Sequence, residues 1–460
     1  METRRDNSKW RPQGRKPLAN DVPRPQSSRR MKRTIATWRN YGVVAFGAVM
    51  VVGCLIGLLW FARPTQSAPD VENRALVEFP EFTVETFLNG DYFKQLSEWY
   101  ADTYPLRDPM VKANLSIKRL YGPSIEDGIH NQGQGDEIPV DDNSAVEVKP
   151  PADAPTEKAV ADGIQENLME GIFVHNGAGY SIYYFDKTAA DTYIQAMNTA
   201  AERLDGTATV YSLFAPASSI MLDPETRAKV GGSDQQQTLD YLSTRFDSRV
   251  KPVEVLNELT DRNDEYLYFY TDHHWTELGA YYAYEKFCKV KGIEPVKLDD
   301  RKYESLGELE GTYTETISSM GDVRHDTVDA YYPIGTNEMT VTGEDGGEYS
   351  WPVVNPDAKN GDPSTRYSAF ISGDQPLEVI HNPQITDGSS VLLVKDSYGC
   401  AFAPLLVDSY EYVYIIDFRY TDKNIVDYVK ENNIQDVIFL TGMKIGLVET
   451  VAETLLVEVS

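Results

Sequence analysis

Residues Tyr41 to Ala62 read YGVVAFGAVMVVGCLIGLLWFA, 22 residues without a charge. A bilayer core needs about 20 such residues in a helix. A helix inside a soluble domain is rarely apolar on every side for that length. Arg29, Arg30, Lys32, Arg33 and Arg39 precede the run, and only Arg63 follows closely. Since positive charge accumulates on the cytoplasmic side, the run predicts one transmembrane helix with its N-terminus in the cytoplasm and the body of the chain outside. Trp38 and Trp60 near its ends fit an aromatic belt. A cleaved signal peptide would have an apolar core of about 7–15 residues and a small-x-small site. This run is longer, and Gln66-Ser67-Ala68 places Gln where a small residue is expected.

Charge divides at the same place. The 460 residues carry a net −28, yet residues 1–40 hold 12 Lys/Arg against 3 Asp/Glu, a local +9 that leaves −37 for the rest. So acidic a body excludes nucleic-acid binding, which needs a basic face. The tail, rich in Arg and Pro, reads as a disordered cytoplasmic segment that fixes orientation and is drawn to anionic lipid. Three cysteines are too few for a disulfide scaffold. Cys54 lies in the apolar run, and Cys288 and Cys400 are expected to be buried thiols rather than a bridge.

Beyond the membrane, Phe87, Phe93, Leu96, Trp99 and Tyr100 recur at three-and-four spacing and predict one amphipathic helix. Residues 124–160, with GDEIPVDDNS and VKPPADAPTEK, hold few large apolar groups and predict a disordered acidic insertion. From Gly171 onward strands and helices alternate. A hairpin is expected around Asn176-Gly177, with strands at Thr209–Phe214, Tyr266–Tyr270, Val391–Val394, Tyr412–Ile416 and Val437–Leu440. Helices are expected at Thr188–Leu204, Asp234–Phe246, Thr276–Val290, Cys400–Leu406 and Lys423–Asn432. This pattern predicts an α/β domain with a mostly parallel sheet covered on both faces. Residues 297–382 are less regular. Sites in such sheets lie at the carboxyl ends of the strands.

Two motifs stand at that edge: Thr271-Asp272-His273-His274-Trp275 and Lys395-Asp396-Ser397-Tyr398-Gly399. A serine on a strand-to-helix turn can raise its Oγ above the sheet. It needs a base to take its proton, and the base needs an acid to hold its tautomer. Ser397, His274 and Asp272 supply the three. A metal site on the same Asp and His residues is the competing reading, but the other histidines are scattered and no second ligand cluster is evident, so no metal or organic cofactor is expected. Tyr281, Tyr282, Tyr284 and Tyr398 lie near the motifs, where tyrosine faces could line a sugar site; core packing is the more ordinary role.

TDHHWTELGAYYAYEKF and LLVKDSYG, in this order, resemble the DHHW proteins of bacterial cell surfaces, which are similar to alginate-type polysaccharide O-acetylation proteins of the SGNH hydrolase-like group. ENRALVEFPEF (72–82), YADTYPLRD (100–108) and IIDFRY (415–420) extend the resemblance over most of 70–445. It implies an SGNH-like three-layer fold with a circularly permuted order, Asp and His before Ser. It also implies Ser397 as nucleophile, His274 as general base and Asp272 as orienter. Asp396 is expected to support the turn. His273, Tyr398, Arg419 and, through its backbone N–H, Gly442 are the candidates for substrate or oxyanion support. Lys395 stands where SGNH enzymes usually have Gly, and their oxyanion Asn has no evident counterpart. The expected organisation is a tail (1–40), a membrane helix (41–62), an extracellular SGNH-like domain (63–445, with the insertion at 124–160) and a C-terminal extension (446–460). The expected function is acyl transfer or ester hydrolysis on O-acetyl groups of a cell-envelope polysaccharide, with a multi-spanning membrane acyltransferase as partner. The alternative is a non-catalytic surface module that binds polysaccharide or scaffolds an envelope assembly.

Overall fold

The computed structural model describes residues 79–80, 82–83, 87, 91–105, 128–140, 146–320, 322–343 and 345–460. The expected tail and transmembrane helix lie outside the described residues, as does most of ENRALVEFPEF. Among the described residues no helix is long and apolar enough to cross a membrane. The chain divides into two units, 1–114 and 115–460. In the first, the expected amphipathic helix is α1 (Asp91–Asp102), with Trp99 buried and met edge-on by Phe79 at 4.8 Å between ring centroids.

The second unit opens with β1 (Gly128–His130), α2 (Glu157–Met169), β2 (Ile172–His175), β3 (Ala178–Ser181), α3 (Lys187–Arg203), β4 (Thr209–Ala215), β5 (Val250–Val253) and α4 (Glu277–Lys291). It continues through β6 (Lys302–Leu309), β7 (Asp326–Tyr332), β8 (Glu338–Thr342), β9 (Glu348–Pro352), β10 (Leu377–His381) and β11 (Ser390–Lys395). It closes with α5 (Tyr398–Leu406), β12 (Tyr412–Asp417), α6 (Ile425–Glu431), β13 (Asp436–Gly442) and α7 (Glu449–Val459). Eight strands form one sheet in the order β5-β4-β13-β11-β12-β10-β8-β9. The first five run parallel, and β10, β8 and β9 add an antiparallel flank. β11 and β13 are buried at every position, which requires cover on both faces. One helix group is α2, α3, α6 and α7; the other is α4 with α5. Local chemistry sets the helix ends. Asp186 accepts from the Ala189 N–H at the start of α3, and Thr276 from the Gly279 N–H at the start of α4. Gly292 ends α4 in the left-handed conformation.

Three expectations change. Tyr266–Tyr270 is not a strand of the sheet. The Thr276 N–H donates to Leu267 O and the Phe269 N–H to His274 O, so 266–276 folds back on itself and carries the Asp-His-His motif at a loop tip before α4. Parts of 124–160 are ordered on the domain. β1 pairs with β2, the Val148 N–H donates to Gln195 and the Asp136 N–H to Phe185 O. Gly133 and Gly135 approach Tyr184 and Phe185 too closely for a Cβ, and Ile138, Val146 and Val148 pack on the main core, while residues 124–127 and 141–145 lie outside the described set. Finally, 446–460 is part of the domain. Val451, Ala452, Leu455, Leu456 and Val459 on α7 have no exposed surface. Cys288 and Cys400 are buried free thiols.

Glu277, on the first turn of α4, is buried, with one carboxyl oxygen accepting the Tyr331 N–H and the other unpartnered. Burial raises its pKa from 4.5 to about 8, the Tyr331 hydrogen bond opposing. The folded chain thus retains a proton that the unfolded chain loses above its ordinary value. This group's contribution is full below pH 4.5 and is lost as pH rises toward 8. Thermal melts from pH 5 to 8 are expected to fall less steeply for Glu277→Gln than for wild type; parallel slopes would refute this assignment.

Candidate active site

The register of the central strands builds the site. Lys395 at the end of β11 is level with Asp417 on β12 and Leu440 on β13, so the turns after these three strands open at one edge of the sheet. Ser397 follows β11 and is the N-cap of α5. Gly399 lets the turn close, since a Cβ there would collide with the Lys395 side chain. The loop bearing Asp272–Trp275 folds onto the same turn. The Trp275 indole donates to Tyr398 O at 3.0 Å, and the Tyr398 hydroxyl donates to His273 O at 2.6 Å.

These two ties bring Asp272, His274 and Ser397 into one hydrogen-bonded chain. His274 Nδ1 lies 2.6 Å from Asp272 Oδ1, and His274 Nε2 lies 2.7 Å from Ser397 Oγ. Asp272 is held further by the backbone N–H groups of His274 (3.0 Å, to Oδ1) and Thr312 (2.8 Å, to Oδ2). Burial pushes its carboxyl up, but the His273 and His274 imidazoles and these donors outweigh it, so its pKa falls well below the carboxylate range. An ionised Asp272 fixes the His274 proton on Nδ1 and leaves Nε2 to accept from the serine hydroxyl. The imidazole is also sandwiched: the Tyr367 ring stacks on it at 4.1 Å and 14°, and the Tyr367 hydroxyl donates to Ser397 O at 3.1 Å.

The remaining candidates take structural places. His273 is buried beside His274, and its Nδ1 pairs with Thr312 Oγ1 at 3.1 Å. Burial, then the neighbouring imidazole, holds its pKa down at about 3, so it is neutral. Asp396, fully buried, accepts from the Tyr398 N–H at 2.9 Å and the Gly442 N–H at 2.8 Å, as expected of a residue supporting the turn. Burial raises its pKa to about 6. The Gly442 N–H is therefore committed to Asp396, a bond that ties the end of β13 to the turn after β11. Tyr398 is buried, and both its hydroxyl and carbonyl serve the two loop ties. Tyr281 and Tyr284 are buried on α4, while the Tyr282 hydroxyl donates to Glu265.

Arg419 is nearly buried, and its guanidinium is held by two carboxylates. It makes a bidentate contact with Asp417 (2.8 and 2.6 Å) and reaches Asp374 at 2.9 Å. Lys395, without exposed surface, pairs with the same carboxylates at 3.0 Å (Asp417) and 2.8 Å (Asp374). Cys400 and Glu378 complete this buried cluster beneath the serine turn. Burial keeps the Glu378 carboxyl well above its ordinary pKa, and neither of its oxygens has a partner. In place of the expected Gly, Lys395 joins Arg419 in balancing the buried Asp417 and the half-buried Asp374.

Asp272, His273 and His274 place ligand-type atoms within 4.8 Å of one another. A metal there would have to displace the Asp272–His274 bond, and His274 has no ring nitrogen left to give. Thr312 and Tyr367 were not legible as site residues. Both lie in the irregular stretch between the motifs, where no periodicity signals position.

Among curated proteins none matches the chain in sequence. In structure it is similar to a DHHW family protein from Eubacterium siraeum DSM 15702, at 26% identity and a TM-score of 0.55, over 62% of this chain and 94% of that one. It is also similar to Bacillus cereus PatB1 (20%, TM-score 0.50, 59% and 95%) and to PatB1 with a sulfonyl adduct (20%, 0.51, 59% and 94%), a likeness of fold. The DHHW protein family model matches residues 72–150 and 147–416, taking in both motif loops, and the chain belongs to the DHHW family.

Proposed function

We propose that the chain is a serine acyltransferase or esterase acting on O-acetyl groups of a cell-envelope polysaccharide. The observation that carries the reading is the continuous Asp272–His274–Ser397 hydrogen-bond chain. Ser397 Oγ attacks the acyl carbonyl of an ester donor while His274 Nε2 takes the hydroxyl proton. The tetrahedral intermediate collapses, the donor's alkoxide leaves with that proton, and an acyl-Ser397 ester remains. A sugar hydroxyl or water then gives its proton to His274 and attacks the acyl group, restoring Ser397. Asp272 stabilises the imidazolium formed in each half. The apolar run 41–62 would anchor the domain outside the cytoplasmic membrane. Acetyl groups would then reach it through a multi-spanning acyltransferase partner.

The test follows labelled acetyl from an activated ester in the presence of the full-length protein and a cell-wall polysaccharide. Label in alkali-labile esters on the polymer supports transfer, and label only in free acetate supports the esterase form. Release no faster than without protein overturns the proposal.

Tyr367 separates stacking from hydrogen bonding in this scheme. Tyr367→Phe keeps the ring over His274 and is expected to cost less than about tenfold in turnover, as for one lost hydrogen bond. Tyr367→Ala frees the imidazole and is expected to cost about a hundredfold. Equal losses in the two variants would contradict a positioning role for the ring.

A further inference from the structure

Next to the Asp-His-His loop lies a cleft of ≈ 200 Å³ that the triad does not use, lined by residues that include Tyr180, Ser218, Asn263, Asp264, Tyr270 and Arg324. Four separate stretches of chain build it, and they are fixed to one another. Asp326 accepts from the Tyr270 and Thr271 N–H groups at 2.7 and 2.6 Å, which ties the Arg324 loop to the loop of the triad. The Arg324 N–H donates to Gly177 O at 2.8 Å. Gly177 has φ +74°, and a Cβ there would lie 2.7 Å from Asp322 O, so the β2–β3 turn approaches as closely as glycine permits.

Arg324 is exposed, and its guanidinium lies 3.4 Å from the centroid of the Tyr270 ring. Stacking of this kind holds the planar fork in one orientation while leaving its N–H edges open. The other eight arginines between 128 and 460 each place a guanidinium N–H on a carbonyl or a carboxylate. Arg324 has no such acceptor among the described residues. Of the acids on the rim, Glu265 accepts from Tyr282 and Asp264 is exposed; neither pairs with Arg324. A preorganised, unpaired guanidinium in a chain of net charge −28 suits a bidentate oxyanion. The tyrosine and amide groups around it suit sugar faces and hydroxyls. Tyr270 is four residues from His274, a reach of at most about 14 Å, so a short stretch of polymer can span both.

We propose that this cleft is the acceptor subsite for an acidic glycan, with Arg324 pairing with a carboxylate or phosphate group on the sugar chain. The proposal rests on the acyl-transfer reading, and its test is one of binding, which does not require turnover. Full-length protein is titrated calorimetrically at low ionic strength with an oligogalacturonate, a neutral galactose oligomer of equal length and a glycerol-phosphate oligomer. At least one anionic oligomer is expected to bind about tenfold or more tighter than the neutral one, and the stronger of the two identifies the oxyanion. Arg324→Gln is expected to bring that oligomer down to the neutral level, and Ser397→Ala to bind it as wild type does. Anionic oligomers bound no better than the neutral one, or unweakened by Arg324→Gln, would overturn the subsite. Acetyl release from a small activated ester is expected to survive Arg324→Gln, so loss of the triad reading and loss of the subsite are separate results.

Discussion

Ser397→Ala is expected to reduce release of acetyl from an activated ester to the rate without protein, and His274→Ala to lower it by about 10²–10⁴-fold. Each removes one end of the 2.7 Å bond between Nε2 and Oγ. Asp272→Asn is expected to cost as much as His274→Ala, for a different reason. An amide in place of the Oδ1 acceptor turns a donor toward Nδ1, which favours the tautomer with its proton on Nε2, where it cannot accept from serine. Asp272 also holds two backbone N–H groups, so near-ultraviolet circular dichroism must show the loop intact. Initial rates of acetyl release by the folded variants check all three; wild-type rates in any of them would contradict its role.

Lys395→Met is the second large effect, and it acts on stability. The cluster balances Lys395 and Arg419 against Asp374 and Asp417, with Asp417 and Lys395 wholly buried. Removing the lysine leaves one buried negative charge uncompensated, and breaking such a pair costs about 3–5 kcal/mol. Denaturant unfolding is expected to show a loss of this order, with Asp417→Asn in the same chain restoring part of it by removing the excess charge. A change below about 1 kcal/mol would show that water, or proton uptake by one of the carboxylates, compensates for the lost lysine. Ser397 lies two residues beyond Lys395, so the same variant tests whether the cluster also sets the serine's position.

The Asp272–His274–Ser397 hydrogen-bond chain was legible because its parts sit in short motifs whose chemistry is explicit: a serine after an apolar strand, and an acid two residues before a histidine. The central strands were legible for a related reason. β11 and β13 are apolar nearly throughout, as burial on both faces demands. The antiparallel flank was not. β8 and β10 bury only alternate residues, and a short alternating run among many Gly, Tyr and Asp residues carries little signal. The Tyr266–Tyr270 stretch misled because an apolar aromatic run satisfies its backbone equally well by folding on itself. Arg419 and Gly442 stand at the correct edge of the sheet, yet each is occupied by a partner distant in sequence, Asp374 for one and Asp396 for the other. Such commitments are tertiary facts, as is the stacking of Tyr367 on His274.

The most direct test is to trap the intermediate. Full-length protein is mixed with an activated acetyl ester, quenched in acid during turnover and mapped by peptide mass spectrometry. The account predicts one hydroxylamine-labile acetyl group on the peptide bearing Ser397, absent from Ser397→Ala. A wild-type Ser397 peptide that stays unmodified throughout turnover, or the same acetylation in Ser397→Ala, would contradict it.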